Sequence, residues 1–387
     1  MTILHFIPDE KFTPFLQDVF SSADSGKNLF IVYGNETGEP RFAKKNPESK
    51  LVSKAYWHSE EMRADLRNAT VIIAHSMSDE VARAICRAPG NVPVIWRGWG
   101  FDYYHYLSDI TGPFILPDTK KLWDADRKRS VSQIAVSLPG RIWRRISVGS
   151  KYDAAIKRIS HFSCCVPQDF ARLKSVMPWK SVSFIPLNYY SVEKSFTGAG
   201  DIVGDDILLG NSATPGNNHV EAMEWLRDQE LGARRVVVPL SYGDKAYTKR
   251  IVELGAKWLG KNFRPLLDYY SIEQYNKISA ECSVVIMNHI RQQGMGNVAA
   301  SLYRGAKVIL RPENPIRDLY ASIGVEIGCF SAGSGSDNPP GLLDSDMSVS
   351  KECRKKVGQY WAHENALEQA RQICATGIPS VERGSDE

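Results

Sequence analysis

The segment from Val284 to Pro315 constrains the fold of this chain more than any other. Val284-Val285-Ile286-Met287 is a short apolar run of the buried-strand kind, Val298 to Arg304 reads as a helix that stops at Gly305, and Lys307-Val308-Ile309-Leu310 is a second buried run. The loop between the first strand and the helix is Arg291-Gln292-Gln293-Gly294-Met295-Gly296-Asn297. A strand-to-helix junction suits a phosphate, because the first N–H groups of a helix lack internal partners and the helix dipole favours negative charge there. Gly294 and Gly296 let the backbone come close to a ligand, and Arg291 offers a forked, permanently charged donor to a diphosphate. The second strand delivers Glu313 and Asn314 to the same sheet edge, where a carboxylate and an amide could hold ribose hydroxyls. Glycine spacing by itself fits a plain tight turn equally well.

The rest of the chain repeats this scheme. Leu29 to Tyr33, Val71 to Ala74 and Val92 to Trp96 are strand-like, with a helix from Ser78 to Ala88 between the last two. Strand, helix and strand in this order imply parallel pairing, with ligands at the carboxyl ends of strands, so His75 and Asp102 are expected at one edge. A further strand-like run, His161 to Pro167, closes the first half. In the second half Ile207-Leu208-Leu209 ends in Gly210-Asn211-Ser212 before a helix from about His219, and Arg235 to Leu240 ends in Ser241-Tyr242-Gly243-Asp244. The G-x-G-x-x-G turn with its acidic partner is missing, which argues against a dinucleotide enzyme.

With 387 residues and 43% hydrophobic content, about two domains are expected. The polar stretch from Ser191 to Asp206 is the natural linker, giving domains over 1–195 and 205–375, with a long helix from Ser350 to Cys374 and a disordered tail over 376–387. No apolar run approaches the roughly 20 residues that span a bilayer, and the first residues lack a signal-peptide pattern, so a cytoplasmic protein is expected. Seven scattered cysteines indicate neither a disulfide framework nor a zinc site, and a net charge of +4 is too small to argue for nucleic acid. One local feature stands out. After Pro139-Gly140, Arg141, Arg144 and Arg145 share a helical face while Ile142, Trp143 and Ile146 form the other, as in a helix lying at an anionic membrane surface; an ordinary solvated basic face is the alternative.

Leu208-Leu209-Gly210-Asn211-Ser212 with Asn218-His219, Val236 to Tyr242, Arg291 to Gly296 and Glu313-Asn314-Pro315 together resemble the motifs of glycosyltransferase family 56, the TDP-N-acetylfucosamine:lipid II N-acetylfucosaminyltransferases of enterobacterial common antigen synthesis. Trp96, Trp99-Gly100 and Asp102 are similar to the family's Trp-Gly-x-Asp segment, from which Arg97-Gly98 and Phe101 depart. The resemblance implies an α/β GT-B fold, two Rossmann-like domains facing a central cleft. Its second domain would hold a dTDP- or UDP-linked sugar through Gly210, Asn211, Ser212, Pro239, Tyr242, Arg291, Gln292, Gln293, Gly294, Gly296, Asn297, Glu313 and Asn314. The first would take a polyprenyl-diphosphate-linked glycan at the inner face of the bacterial inner membrane, with Arg141, Trp143, Arg144 and Arg145 at the lipid surface.

Loss of a nucleoside diphosphate needs its growing charge stabilised, and helix N-termini with Arg can do this without metal. Asp344-Ser345-Asp346 spells a metal motif but follows a Gly/Ser/Pro-rich loop, so no metal and no cofactor are expected. For an inverting reaction Asp102 is the first candidate base and His75 the second. Each has a structural alternative: Asp102 as a helix cap, His75 satisfying backbone groups at a strand end. Two other classes share parts of this pattern: a GT-B nucleotide-sugar epimerase and a non-catalytic membrane-associated nucleotide-binding protein.

Overall fold

The structure of the protein, a computed structural model, describes residues 1–23, 26–34, 38–127, 152–195, 201–331, 338–344 and 351–376. In chain order the elements up to residue 127 are β1 (Thr2–Pro8), α1 (Thr13–Ser22), β2 (Lys27–Tyr33), β3 (Ser49–Leu51), α2 (Glu60–Asn68), β4 (Val71–His75), α3 (Asp79–Arg87), β5 (Val94–Arg97), α4 (Tyr104–Thr111) and α5 (Pro117–Arg127). They continue with β6 (His161–Ser163), α6 (Pro167–Val176), β7 (Ser183–Phe184), α7 (Val192–Ser195), β8 (Asp206–Leu209), α8 (His219–Arg227), β9 (Val236–Pro239), α9 (Lys245–Leu259), β10 (Phe263–Leu266), α10 (Ile272–Ala280) and β11 (Cys282–Met287). Last come α11 (Met295–Arg304), β12 (Lys307–Leu310), α12 (Pro315–Ser322), β13 (Gly328–Cys329), α13 (Lys351–Tyr360) and α14 (His363–Ala375).

Every strand pair in these elements is parallel, and the strands form two sheets, β3-β2-β1-β4-β5-β6-β7 and β10-β9-β8-β11-β12-β13. Parallel sheets are covered on both faces, and their strands accordingly run apolar without alternation: Val71 to Ala74, Val236 to Val238 and Val284 to Met287 are all buried. In each sheet the chain winds outward from one strand in both directions. The reversal lies between β1 and β4 in the first sheet and between β8 and β11 in the second, the points where ligands collect in such folds.

The sequence placed one boundary near residues 195–205. The compact units are instead 1–107 with 136–191 and 362–387, and 108–135 with 192–361. Two contacts explain the exchange. In the second unit Glu221 of α8 accepts from the N–H groups of Asp118 and Thr119 at 3.0 and 2.9 Å, so a buried carboxylate caps α5 and holds it there. In the first unit Gln369 of α14 accepts from Asn188 N–H at 2.8 Å, and Phe15 of α1 meets the His363 ring edge-on. The expected single helix over 350–374 is therefore two, α13 and α14, and the break at Trp361-Ala362 falls where the chain passes from one unit to the other. Strand β1 was not read from the sequence, because His5 and Pro8 interrupt its apolar run. The expected tail lies, from residue 377 on, outside the described residues, as do Arg141, Trp143, Arg144 and Arg145. Among the described residues no helix is long and apolar enough to cross a membrane.

Candidate functional site

In the second unit the expected donor residues lie along the carboxyl edge of the sheet, at the end of β9, in the loops after β8, β9, β11 and β12, and in the first turn of α11. Gly210 opens the first loop in the left-handed region, φ +71°, where a Cβ would stand 2.7 Å from Asn217 Oδ1 and 2.8 Å from His219 Nε2. Only glycine fits there. Pro239 ends β9, and in the loop beyond it the Tyr242 carbonyl accepts from Ala213 N–H at 2.8 Å, tying the β9 loop to the β8 loop. The Tyr242 ring is half exposed.

The β11 loop leads into α11, which begins three residues earlier than its sequence pattern shows. Gly294, at φ +68°, occupies the position before the first helical residue and supplies no capping side chain. The N–H groups of Met295, Gly296 and Asn297 therefore start the helix without intrahelical partners, at the positive end of its dipole. Gln293 Nε2 donates to Asn211 Oδ1 at 3.1 Å and to Thr214 Oγ1 at 3.2 Å, joining the β11 and β8 loops across the switch point. Ser212 is buried behind them, its hydroxyl 3.1 Å from that of Thr214.

The structure gives two of the expected ligands other partners. Asn314 is buried and caps α12: Oδ1 accepts from Ile316 N–H at 3.0 Å, and Nδ2 donates to the His289 and Arg291 carbonyls at 3.0 and 3.3 Å. Its amide shapes the Arg291 loop instead of meeting a ribose. Glu313 remains half exposed but is gripped by Arg311 through two hydrogen bonds of 2.9 and 3.1 Å. Burial by itself would raise the Glu313 pKa; the bonds from Arg311 and its own N–H outweigh that and lower it. Gln292 is buried, whereas Arg291 on one side and Gln293 on the other are partly exposed.

Sequence reasoning missed the polar spine beneath this edge. Asn218, with φ +50°, donates to the Asn288 carbonyl at 3.0 Å and accepts from Asn288 Nδ2 at 2.8 Å through its own carbonyl. Its Oδ1 also accepts from Leu116 N–H at 2.8 Å. Asn217 Oδ1 accepts from Asn211 N–H and faces His289 Nε2, each at 2.9 Å. The signal was present in Asn217-Asn218-His219 and Asn288-His289, polar runs set directly against buried apolar strands.

In the first unit Asp102 and His75 reach the expected edge but not a free position. Asp102 is buried; Oδ2 accepts from Trp96 Nε1 at 2.8 Å and Met77 N–H at 3.1 Å, while Oδ1 accepts from Trp99 N–H at 2.8 Å. Burial raises its pKa, with those three bonds opposing the shift. The carboxylate pins the loop after β4 to the loop after β5. His75 is fully buried, its Nε2 3.1 Å from His5 Nδ1, and His5 Nε2 is 3.1 Å from Asn28 Oδ1. Burial first, then the neighbouring charge of His5 and Arg97, holds the His75 pKa well below its ordinary value. As placed, the Asp102 carboxylate positions structure, while His75 Nδ1 is buried with no hydrogen-bond partner among the described residues. Arg97 is likewise buried; it donates to the Leu187 carbonyl at 3.1 Å and lies 4.7 Å from the Tyr189 ring centre.

Comparison with solved structures shows the GT-B fold. Sucrose-phosphate synthase from Thermosynechococcus elongatus matches 97% of this chain and 99% of its own at TM-score 0.66 and 10% identity. HepE from Anabaena, solved with UDP and glucose, matches 97% and 100% at TM-score 0.63 and 10% identity. The alpha,alpha-trehalose 6-phosphate synthase from Burkholderia multivorans matches 100% of both chains at TM-score 0.59 and 11% identity. The model of one family, described as 4-alpha-L-fucosyltransferase, glycosyl transferase group 56, matches residues 185–326, which contain every loop of the second-unit edge described above. The likeness of this segment to glycosyltransferase family 56 is thereby borne out, and with the GT-B fold it supports a glycosyltransferase.

Proposed function

We propose that the chain transfers a deoxy-acetamido hexose of the N-acetylfucosamine type from a dTDP- or UDP-linked donor to a polyprenyl-diphosphate-linked saccharide, in the synthesis of a bacterial surface polysaccharide. The observation that carries this is the start of α11. Uncapped amides behind a left-handed Gly294, with Arg291 in the preceding loop, lie beside the β8/β11 switch point within the segment that matches group 56. The UDP and glucose held by the Anabaena protein of the same fold favour a pyrimidine nucleoside diphosphate here.

Chemically, breaking the glycosidic bond to the diphosphate leaves charge on its oxygens. The α11 amides and Arg291 meet that charge as it develops, so the step needs no metal. The first unit takes the acceptor, with Asp102 holding the Trp99 loop in shape, and the Arg141, Trp143, Arg144 and Arg145 segment docks the protein on the inner face of the inner membrane.

The test is transfer from dTDP- and UDP-linked acetamido hexoses to a polyprenyl-diphosphate-linked saccharide in liposomes, with and without EDTA. Lipid-linked product in both conditions is expected. Loss in EDTA that magnesium or manganese restores overturns metal independence. An epimerised nucleotide-sugar formed without any lipid, and no transfer, replaces the proposal with the epimerase.

A further inference from the structure

His289 holds a polar atom that nothing among the described residues satisfies: its Nδ1 is shielded from solvent and has no hydrogen-bond partner there. The protonation of this ring can be deduced from its surroundings. Two backbone groups orient the Asn217 carboxamide, because Oδ1 accepts from Asn211 N–H at 2.9 Å and Nδ2 donates to the Thr214 carbonyl at 3.1 Å. His289 Nε2 lies 2.9 Å from that same Oδ1, so Nε2 carries the hydrogen. Burial, reinforced by the charges of Arg291 and His219, holds the His289 pKa well below its ordinary value. The ring is thus neutral and Nδ1 is a bare acceptor.

The position of this lone pair gives it meaning. His289 stands two residues after β11 and is linked through Asn217 to Asn211, which meets Gln293 in the loop before α11. Gln293 Oε1 is a second unpartnered acceptor in the same network. A diphosphate cannot satisfy either atom, since its oxygens only accept; its complement is the α11 amides and Arg291. What the two lone pairs lack is an O–H or N–H. His219 Nε2 is unpartnered too, but it faces Gly210, where a Cβ would stand 2.8 Å from it, and it packs the loop instead.

We propose that His289 Nδ1 accepts a hydrogen bond from a hydroxyl or amide N–H on the carbohydrate of the nucleotide-sugar, and so selects among donors differing at one substituent. The assignment rests on the donor site proposed above. Because Nδ1 is shielded, this contact requires the 290–293 loop to shift when the ligand enters. A site built to bond a hydroxyl rejects the analogue lacking it far better than an apolar pocket rejects an added one.

The experiment is a cycle of enzyme and ligand changes, read by calorimetry on the full chain. Parent and His289→Leu are titrated with UDP, dTDP, their 2′- and 3′-deoxyribose forms, UDP- and dTDP-hexoses, and hexose analogues each missing one hydroxyl or acetamido group. Binding of UDP or dTDP by the parent tests the donor site itself. For one analogue the parent is expected to lose about five- to tenfold in affinity, while His289→Leu binds that analogue and its full counterpart alike. If the matching analogue lacks a hexose group, the partner is the transferred sugar; if it lacks a ribose hydroxyl, the partner is the nucleoside. His289→Leu weakening all ligands by one common factor, with every parent contrast intact, overturns the proposal. Should the variant not fold, ¹⁵N spectra of the histidine-labelled parent decide instead. Nδ1 of His289 must move upfield on saturation with the tightest ligand, and an unmoved resonance is equally fatal.

Discussion

Mild acid should destabilise this protein in proportion to its buried histidines. His5 and His219 are fully enclosed, and burial lowers each pKa from 6.5 to about 3. His75 and His289 shift in the same direction for the same first cause. In the unfolded chain each ring takes a proton near its ordinary pKa, whereas in the folded protein it stays neutral down to the lowered one. Between those limits the unfolded state binds more protons, so stability is lost as pH falls through the window. The loss is about 1.4 kcal/mol per pH unit per histidine. Going from about pH 7.5 to about pH 5.5 should therefore cost roughly 1.4 kcal/mol for His5 and the same for His219, with His75 and His289 acting in the same direction. Each unit holds one ring lowered to about 3 and so loses about 1.4 kcal/mol from it, a noticeable part of a total stability of roughly 5–15 kcal/mol. Asp102 acts the other way, since its raised pKa means the folded state gains a proton more readily. Urea unfolding followed by tryptophan fluorescence across this pH range measures the slope. His5→Gln, which keeps a donor toward Asn28 and an acceptor toward His75, should remove about 1.4 kcal/mol of the dependence. A midpoint flat with pH refutes the assignment of these rings as neutral.

Gly210→Ala should destabilise by about 2–4 kcal/mol, from left-handed strain plus overpacking on Asn217, and should also abolish nucleoside diphosphate binding; thermal melts with and without UDP measure both. Arg291→Lys keeps the charge but loses the fork, so calorimetry should show weaker UDP or dTDP binding, and unchanged affinity removes Arg291 from the diphosphate. Asp102→Asn puts an NH₂ against at least one of the Trp99, Met77 and Trp96 donors, costing about 1–3 kcal/mol by denaturation. Replacing Arg141, Arg144 and Arg145 together by Glu should weaken binding to anionic liposomes by several kcal/mol, at roughly 1 kcal/mol per basic residue, while nucleotide binding survives; pelleting equal to the parent's makes the segment an ordinary solvated surface.

Strands with continuous apolar runs could be read directly. Cys282–Met287 and Lys307–Leu310 lie where their composition places them, and the helix after the glycine loop ends at Gly305 as expected, in a left-handed turn of φ +99°. Strand β1, at the switch point of its sheet, could not be read this way. His5 looks like an interruption until His75 and Asn28, far away in sequence, supply the partners that allow it to be buried. Of the site, the glycines and Arg291 were legible because backbone freedom and permanent charge belong to a residue wherever it sits. The functions of Asn314, Glu313 and Asp102 were not legible, because a carboxylate or amide binds whatever donor the fold brings to it. Here those donors are Ile316 N–H, Arg311 and the Trp96 indole.

By itself the sequence determined the α/β class, the two parallel sheets and the carboxyl edge on which the candidate site lies. Each follows from local periodicity and from backbone geometry that any chain must obey. Tertiary structure alone decided which stretches share a unit. Glu221 caps a helix about a hundred residues earlier in the chain, and α14 returns from the end of the described chain to pack on α1. It also decided which polar atoms are spent and which remain. Hydrogen bonds from Met77 to Asp102 and from Asn314 to the His289 and Arg291 carbonyls join residues more than twenty positions apart, and His289 Nδ1 has no partner among the described residues; such pairings are made by spatial neighbours outside any local window of sequence.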